Sequence, residues 1–353
     1  MDVFRFGLSY WKKYLPAAIF IQILSFIALT CDLLIPMISE MFIDYVIRSD
    51  KPDKTNIFSF MLSGRYGSIH TMELLFSLSV LLMLLVSVRL VLIYIKNVGN
   101  QKLGLGLETD LRMATFKKLS DLDSMTISDY NTGELLTTIN SDTIMFKEMF
   151  CRIVPNIIDS IAVLAISSIM LAKIHIWLLL IPVALAPVLF TALMRFRKLA
   201  RENYKIIRGN NSIMNLTVQE NIEAVRLVRS FTNEKIEKEK FDNANEELKN
   251  SYINQIKLSS KFEVIFGIVK QTAYIGGIAI SAILVINGEI MVGFLVACTN
   301  YILKIMDHIT QINNSLFQMQ QQLVSGQKML GFMNRESRIG NGTKPVKNTE
   351  KTD

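Results

Sequence analysis

The chain has 353 residues, half of them hydrophobic, and a mean hydropathy of +0.33. That composition excludes an ordinary soluble domain. The net charge of +7 needs no nucleic-acid partner, because the basic residues fall in the pattern of a membrane-topology signal and suit an anionic inner leaflet.

At the N-terminus, Phe4–Tyr14 (FRFGLSYWKKY) is aromatic and basic, without the short apolar core and small-residue cleavage site of a secretory signal. It predicts an amphipathic elbow helix over residues 1–14, lying in the membrane interface with Tyr10, Trp11 and Tyr14 at headgroup depth. Six apolar stretches follow: Leu15–Ile35, Glu73–Ile95, Ile153–Ala172, Ile176–Met194, Val264–Ile286 and Ile290–Tyr301, the last with a more polar continuation. Most approach or exceed the ~20 residues a helix needs to cross a ~30 Å hydrocarbon core. The fold class is therefore an all-α membrane protein, with six transmembrane helices within residues 15–333 and a polar linker over 334–353.

Thirty of the 38 basic residues lie at the N-terminus, in Lys96–Arg152, in Arg195–Lys261 and from Lys328 onward; five lie in 48–65 and at Lys173. This asymmetry predicts a multi-pass protein of the cell's inner or plasma membrane, with both termini and both long loops in the cytoplasm. Both loops carry apolar residues at helical spacing, as at Ile222, Val225, Val228 and Phe231. They read as helices that leave the membrane and fold back. Limbs of about 28 residues would project roughly 40 Å at 1.5 Å per residue. Turn signals place the first reversal at Ser128–Gly133, with a new helix from Glu134, and the second at Gly209–Ser212.

Ionisable residues inside apolar spans are costly and mark candidate transport pathways. Here they are Asp32, Arg89, Asp159, Lys270, Lys304 and Asp307, with Asn300 on the same polar sixth span. Structural pairing accounts for them equally well; Lys304 and Asp307 stand at i, i+3. Pro182 and Pro187 read as kinks. Cys31, Cys151 and Cys298 have no metal-ligand spacing and read as packing residues, and His70, His175 and His308 are scattered. No metal site and no catalytic residue is assigned.

Several segments in order resemble ABC exporters of the type I (type IV transmembrane) fold. Asn131–Asp142 (NTGELLTTINSD) is similar to the first intracellular loop, G-[ED]-L-x-S-R-[LIV]-x-x-D. Glu220–Glu234 (ENIEAVRLVRSFTNE) is similar to the second-loop pattern E-x-[LIV]-x-G-[LIVMF]-x-x-[VI]-[KR]-[AS]-F-x-x-E. Asn287–Gly293 resembles the hairpin before span six, Val324–Asn334 the closing segment, and Pro36 with Ile43-Asp44 the end of span one. The sequence departs from the family at Thr138, Ala224 and Lys328, where Arg, Gly and Arg are usual. Thr126-Ile127 replace an aromatic pair, and span six lacks a proline near Asp307-His308.

The resemblance implies a half-transporter working as a homo- or heterodimer, with two spans crossing to the partner half. It implies two loop tips, the coupling helices, that dock on nucleotide-binding domains. Carried over, the first tip draws on Thr126, Ser128, Asp129, Tyr130, Asn131 and Gly133, and the second on Ser212, Asn215, Gln219 and Glu220. ATP and Mg are expected on those nucleotide-binding domains and none on this chain, which contains no G-x-x-x-x-G-K-[ST]. Leu323–Gln327 (LVSGQ) only superficially matches a nucleotide signature and reads as the end of a helix. The ATPase domain is expected beyond a truncation or on a separate subunit, and this chain is not expected to hydrolyse ATP alone. Expected partners are thus the second half, the ATPase domains, membrane lipid and a transported substrate, with no nucleic acid. The alternatives are an ion-coupled secondary transporter, which would usually show an internal repeat, and a non-transporting scaffold derived from an exporter.

Overall fold

A computed structural model describes residues 3–47, 71–128 and 132–337. Among them there is no strand, and six helices are long and apolar enough to cross a membrane. In chain order the helices are α1 (Val3–Trp11), α2 (Leu15–Met41), α3 (Thr71–Asp121), α4 (Ser124–Ser128), α5 (Thr132–Thr137) and α6 (Thr143–Glu148). They continue with α7 (Val154–Ile174), α8 (Leu180–Glu223), α9 (Val225–Ser230), α10 (Glu234–Ile286) and α11 (Val292–Met333). Wider π-type turns join α5 to α6 and α6 to α7, so Thr132–Ile174 winds on through all three. The protein is an integral, multi-pass membrane protein.

The chain divides into two compact units, Met1–Ser167 with Asp307–Asp353, and Ser168–Met306. In the first, α2 packs along α3, and the far end of that pair closes on Ile38, Met41, Tyr45, Leu74 and Leu78. Pro16 opens α2, where its missing N–H costs nothing. The principal core of this unit gathers Phe6 and Trp11 of α1, Leu107 and Leu111 of α3, Phe146 and Phe150, and Met329 and Leu330 of α11. Phe146 is fully buried at its centre, 6.0 Å from Phe6 and 5.6 Å from Phe150 between ring centroids. Gly326 lets α11 approach, since a Cβ there would overlap Phe146 and Val3. The LVSGQ segment is accordingly an interior turn of α11.

The expectation for the N-terminus is refined at one residue. Trp11 is 7% exposed, with its ring centroid 5.9 Å from that of Phe150 in a tilted contact, so this side chain faces the core of the unit. Phe4, Arg5, Lys12 and Lys13 of the same segment stay exposed.

The second unit is built on α8 against α10. Phe196, Phe262 and Phe266 pack between them. α10 ends in a Schellman motif: the Glu289 N–H donates to the Leu284 carbonyl and the Gly288 N–H to that of Val285, with Gly288 at φ +76°. Glycine is required there because a Cβ is disfavoured at positive φ. His175 caps the turn before α8 and meets Glu289 of the α10–α11 connection at 3.0 Å.

The second predicted reversal is corrected. Gly209–Ser212 does not turn; α8 runs unbroken to Glu223. The Asn210 carboxamide donates to Ser251 Oγ on α10 at 2.6 Å, so the polar cluster that reads as a loop is a helix-to-helix contact. Pro187 is inside α8 and Pro182 lies in its first turn.

Candidate functional site

The first helical excursion ends at α4. Asp123 precedes that helix as its N-cap, its carboxylate accepting the Thr126 N–H and its carbonyl the Ile127 N–H. Thr126 is fully buried, while Ser128 is exposed and donates back to the Met125 carbonyl at 2.8 Å. Leu122, Leu135 and Phe332 form a small core under this tip. The Ser337 hydroxyl donates to Asp123 Oδ2 at 2.6 Å, and the Asp123 N–H donates to Ser337 Oγ at 3.3 Å. The residues that follow α11 are therefore tied to the first tip. Gly133 is exposed in α5; Asp129, Tyr130 and Asn131 lie outside the described residues.

The second excursion breaks at Ala224 (φ −95°, ψ 10°), forms α9, and reverses through Phe231–Asn233. The Asn233 N–H donates to the Val228 carbonyl and the Thr232 N–H to that of Arg229, a second Schellman closure. Here the left-handed position falls on Thr232, at φ +54°, a β-branched residue for which that region is strained. α9 buries none of its residues; Leu227 is 61% and Phe231 68% exposed. From Met194, where the apolar stretch of α8 ends, to Glu223 the helix rises about 43 Å. Ser212, Asn215, Gln219 and Glu220 are exposed along the last turns of α8, before the reversal rather than on it. Gln219 donates to Glu223 at 2.8 Å, and Glu220 supplies the carbonyl that ends the helix at Ala224.

The ionisable residues of the spans fall into two groups. Asp32 and Arg89, from α2 and α3, form an ion pair at 3.0 Å. Asp159 of α7 is buried and accepts from Lys96 at 2.6 Å, Gln22 at 2.6 Å and Ser25 at 2.9 Å. Such saturation offsets the cost of placing a carboxyl group inside an apolar stretch. Lys270 is exposed on α10; Asn300, Lys304 and Asp307 lie along α11, where Asn300 donates to the Val296 carbonyl at 2.8 Å. His308 approaches Ser160 of α7 at 3.1 Å.

Sequence reasoning missed a buried ion cluster beyond the membrane boundary. Glu108 of α3 receives Lys147 of α6 at 2.8 Å and Arg112 at 2.7 Å. Burial by itself would raise the Glu108 carboxyl, but hydrogen bonds and charge from Lys147 and Arg112 bring it below its usual range. The i, i+4 spacing of Glu108 and Arg112 was a visible signal; Lys147, 39 residues away, carried none.

Residues 18–309 match the model of the ABC transporter transmembrane region. The chain belongs to that family. Curated relatives agree. The ABC transporter ATP-binding protein YknU of Bacillus subtilis, itself uncharacterized, is 24% identical over 229 residues, 65% of this chain and 39% of YknU. The putative multidrug export ATP-binding/permease protein YgaD of the same organism is 25% identical over 229 residues, 64% of this chain and 39% of YgaD. The putative ABC transporter ATP-binding protein exp8 of Streptococcus pneumoniae is 20% identical over 248 residues, 69% of this chain and 42% of exp8. The chain thus spans about two fifths of the length of these relatives. The family membership accounts for the six spans and for the helices that run far past them.

Proposed function

We propose that this chain is the membrane half of an ATP-driven exporter, forming the translocation pathway with a second half and driven by nucleotide-binding domains. α4 and the α9 turn are its docking tips, on the cytoplasmic side, and α8 with α10 is the pair that crosses to the partner half. The observation that carries the reading is α9: a short helix about 40 Å beyond the apolar stretch, with Leu227 and Phe231 exposed where no lipid reaches. An apolar pair in that position is suited to a protein groove. The export direction rests on the relatives, one of which is described as a putative multidrug export protein. In this reading the Ser212–Glu220 stretch is the rod behind the second tip. Closure of the ATPase domains on nucleotide pulls both tips and changes the side to which the pathway opens.

The test is reconstitution of the full chain with a matching ATPase in lipid vesicles. Replacing Leu227 and Phe231 by Ser should cut stimulation of ATP hydrolysis roughly tenfold, the loss of two buried apolar anchors, while leaving the yield of folded protein unchanged. Undiminished stimulation would remove α9 from the interface. Gly133→Leu and Glu220→Ala, made in parallel, report on the first tip and on the rod.

A further inference from the structure

A cavity of about 300 Å³ opens between α3 and the segment entering α7. Gly104 makes its floor: a Cβ there would stand 3.4 Å from both Cys151 Sγ and the Lys147 stem, so a larger side chain would fill the space. Three cations line it, Lys96, Lys147 and Arg152, against one carboxylate, Glu148. Glu148 is engaged by Arg152 at 2.8 Å. Lys96 and Lys147 are held from behind by Asp159 and Glu108, at 2.6 and 2.8 Å. An ammonium group has three protons, so each lysine keeps donors for the cavity. Four carboxamides, Asn97, Asn100, Gln101 and Asn156, complete the wall.

The depth of the cavity is set by the sequence. Lys96 follows the last residue of one apolar stretch and Arg152 precedes the first of the next. The site therefore stands at the membrane boundary, on the side of the long loops. The face of α3 that lines it continues into the membrane one turn away through Leu92 and Ile93, both half-buried.

We propose that this cavity binds the phosphodiester headgroup of an acidic phospholipid. The cations and amide N–H groups match the phosphate oxygens, and the amide carbonyls can accept from the hydroxyls of a glycerol headgroup. A choline headgroup would set its quaternary ammonium among three cations with one carboxylate on the wall, whereas a glycerol headgroup brings no positive charge. A soluble phosphate offers the same oxygens, but the boundary position and the apolar continuation of α3 favour a ligand with acyl chains. Basic pockets between helices at this depth are suited to anionic headgroups. The proposal depends on the exporter reading only for the name of the leaflet, the cytoplasmic one.

The experiment uses the purified full chain in mild detergent, and native mass spectrometry counts bound phosphatidylglycerol and phosphatidylcholine. In an Arg152→Gln/Asn100→Leu variant, retention of phosphatidylglycerol should fall roughly tenfold, as for loss of one charge-assisted contact, with phosphatidylcholine unchanged. Equal retention in wild type and variant overturns the site. Inorganic phosphate that displaces the lipid, and is itself lost in the variant, overturns the lipid in favour of a soluble anion. Independently, Asn100→Cys should react with a maleimide in delipidated protein and be protected by phosphatidylglycerol. Failure of the lipid to protect overturns the proposal; a cysteine shielded even without lipid would mean that a second copy fills the cavity, and overturns it too. None of these readouts involves ATP, so the site can fail while the exporter reading stands, or the reverse.

Discussion

Glu108 shows how much one side chain in this protein depends on another that the chain brings from far away. Its side chain is 11% exposed, and the carboxylate is kept charged by Lys147 and Arg112. Replacing Lys147 by Met should cost about 1–3 kcal/mol, because the buried Glu108 carboxylate loses one of its two cations and keeps only Arg112. The Glu108→Gln/Lys147→Met pair should recover much of that loss, since neither partner is then ionised. Thermal unfolding in detergent measures both. The pH dependence follows from the direction of the Glu108 shift. Its folded pKa lies below its unfolded value of about 4.3, so its contribution is complete above that value and is lost as pH falls through the folded pKa. The wild type should therefore lose stability on acidification below about pH 4, and Glu108→Gln should show a flatter acid limb. A matching limb in the two proteins would remove Glu108 as its source.

At the scale of elements, the two reversals of the second unit use the same closure with different residues. Gly288 takes the left-handed position at the end of α10 without strain, whereas Thr232 takes it after α9 at a cost of about 1–2 kcal/mol. Thr232→Gly should raise the melting temperature by relieving that cost. A fall would mean that Thr232 makes a compensating contact at this turn. The strain sits in the segment proposed for docking, and sparsely populated backbone conformations tend to be kept at functional sites. The same elements show why a turn signal can mislead. Gly209–Ser212 has loop composition, yet a long helix tolerates it because Asn210 is bonded across to Ser251 and the neighbouring α10 supports the backbone. For the first excursion the sequence offered the turn residues of Ser128–Gly133, while Asp123, which caps α4 through the Thr126 N–H, was not singled out.

For the whole molecule, the charge asymmetry and the two helical excursions together make a topology that can be measured. With the loops cytoplasmic, trypsin added to inside-out membrane vesicles should cut at the exposed Arg226 and Arg229. Intact cells should protect both sites. Cleavage from outside intact cells would reverse the proposed orientation, leaving the fold and family untouched.

The sequence by itself determined the all-α class, the six spans, the two long excursions and the family. Each of these rests on composition, helical period or motif order, properties that a local stretch of chain carries whatever it packs against. Only the tertiary structure decided that Trp11 turns inward, that α8 continues past Gly209 to reverse at Ala224–Asn233, and that Asp159 and Glu108 are charge-paired within the first unit. These outcomes depend on partners tens to hundreds of residues away. A buried tryptophan, a bonded asparagine or a paired carboxylate has the same local sequence as an exposed, turning or functional one. The contact across the fold, not the residue type, sets its free energy.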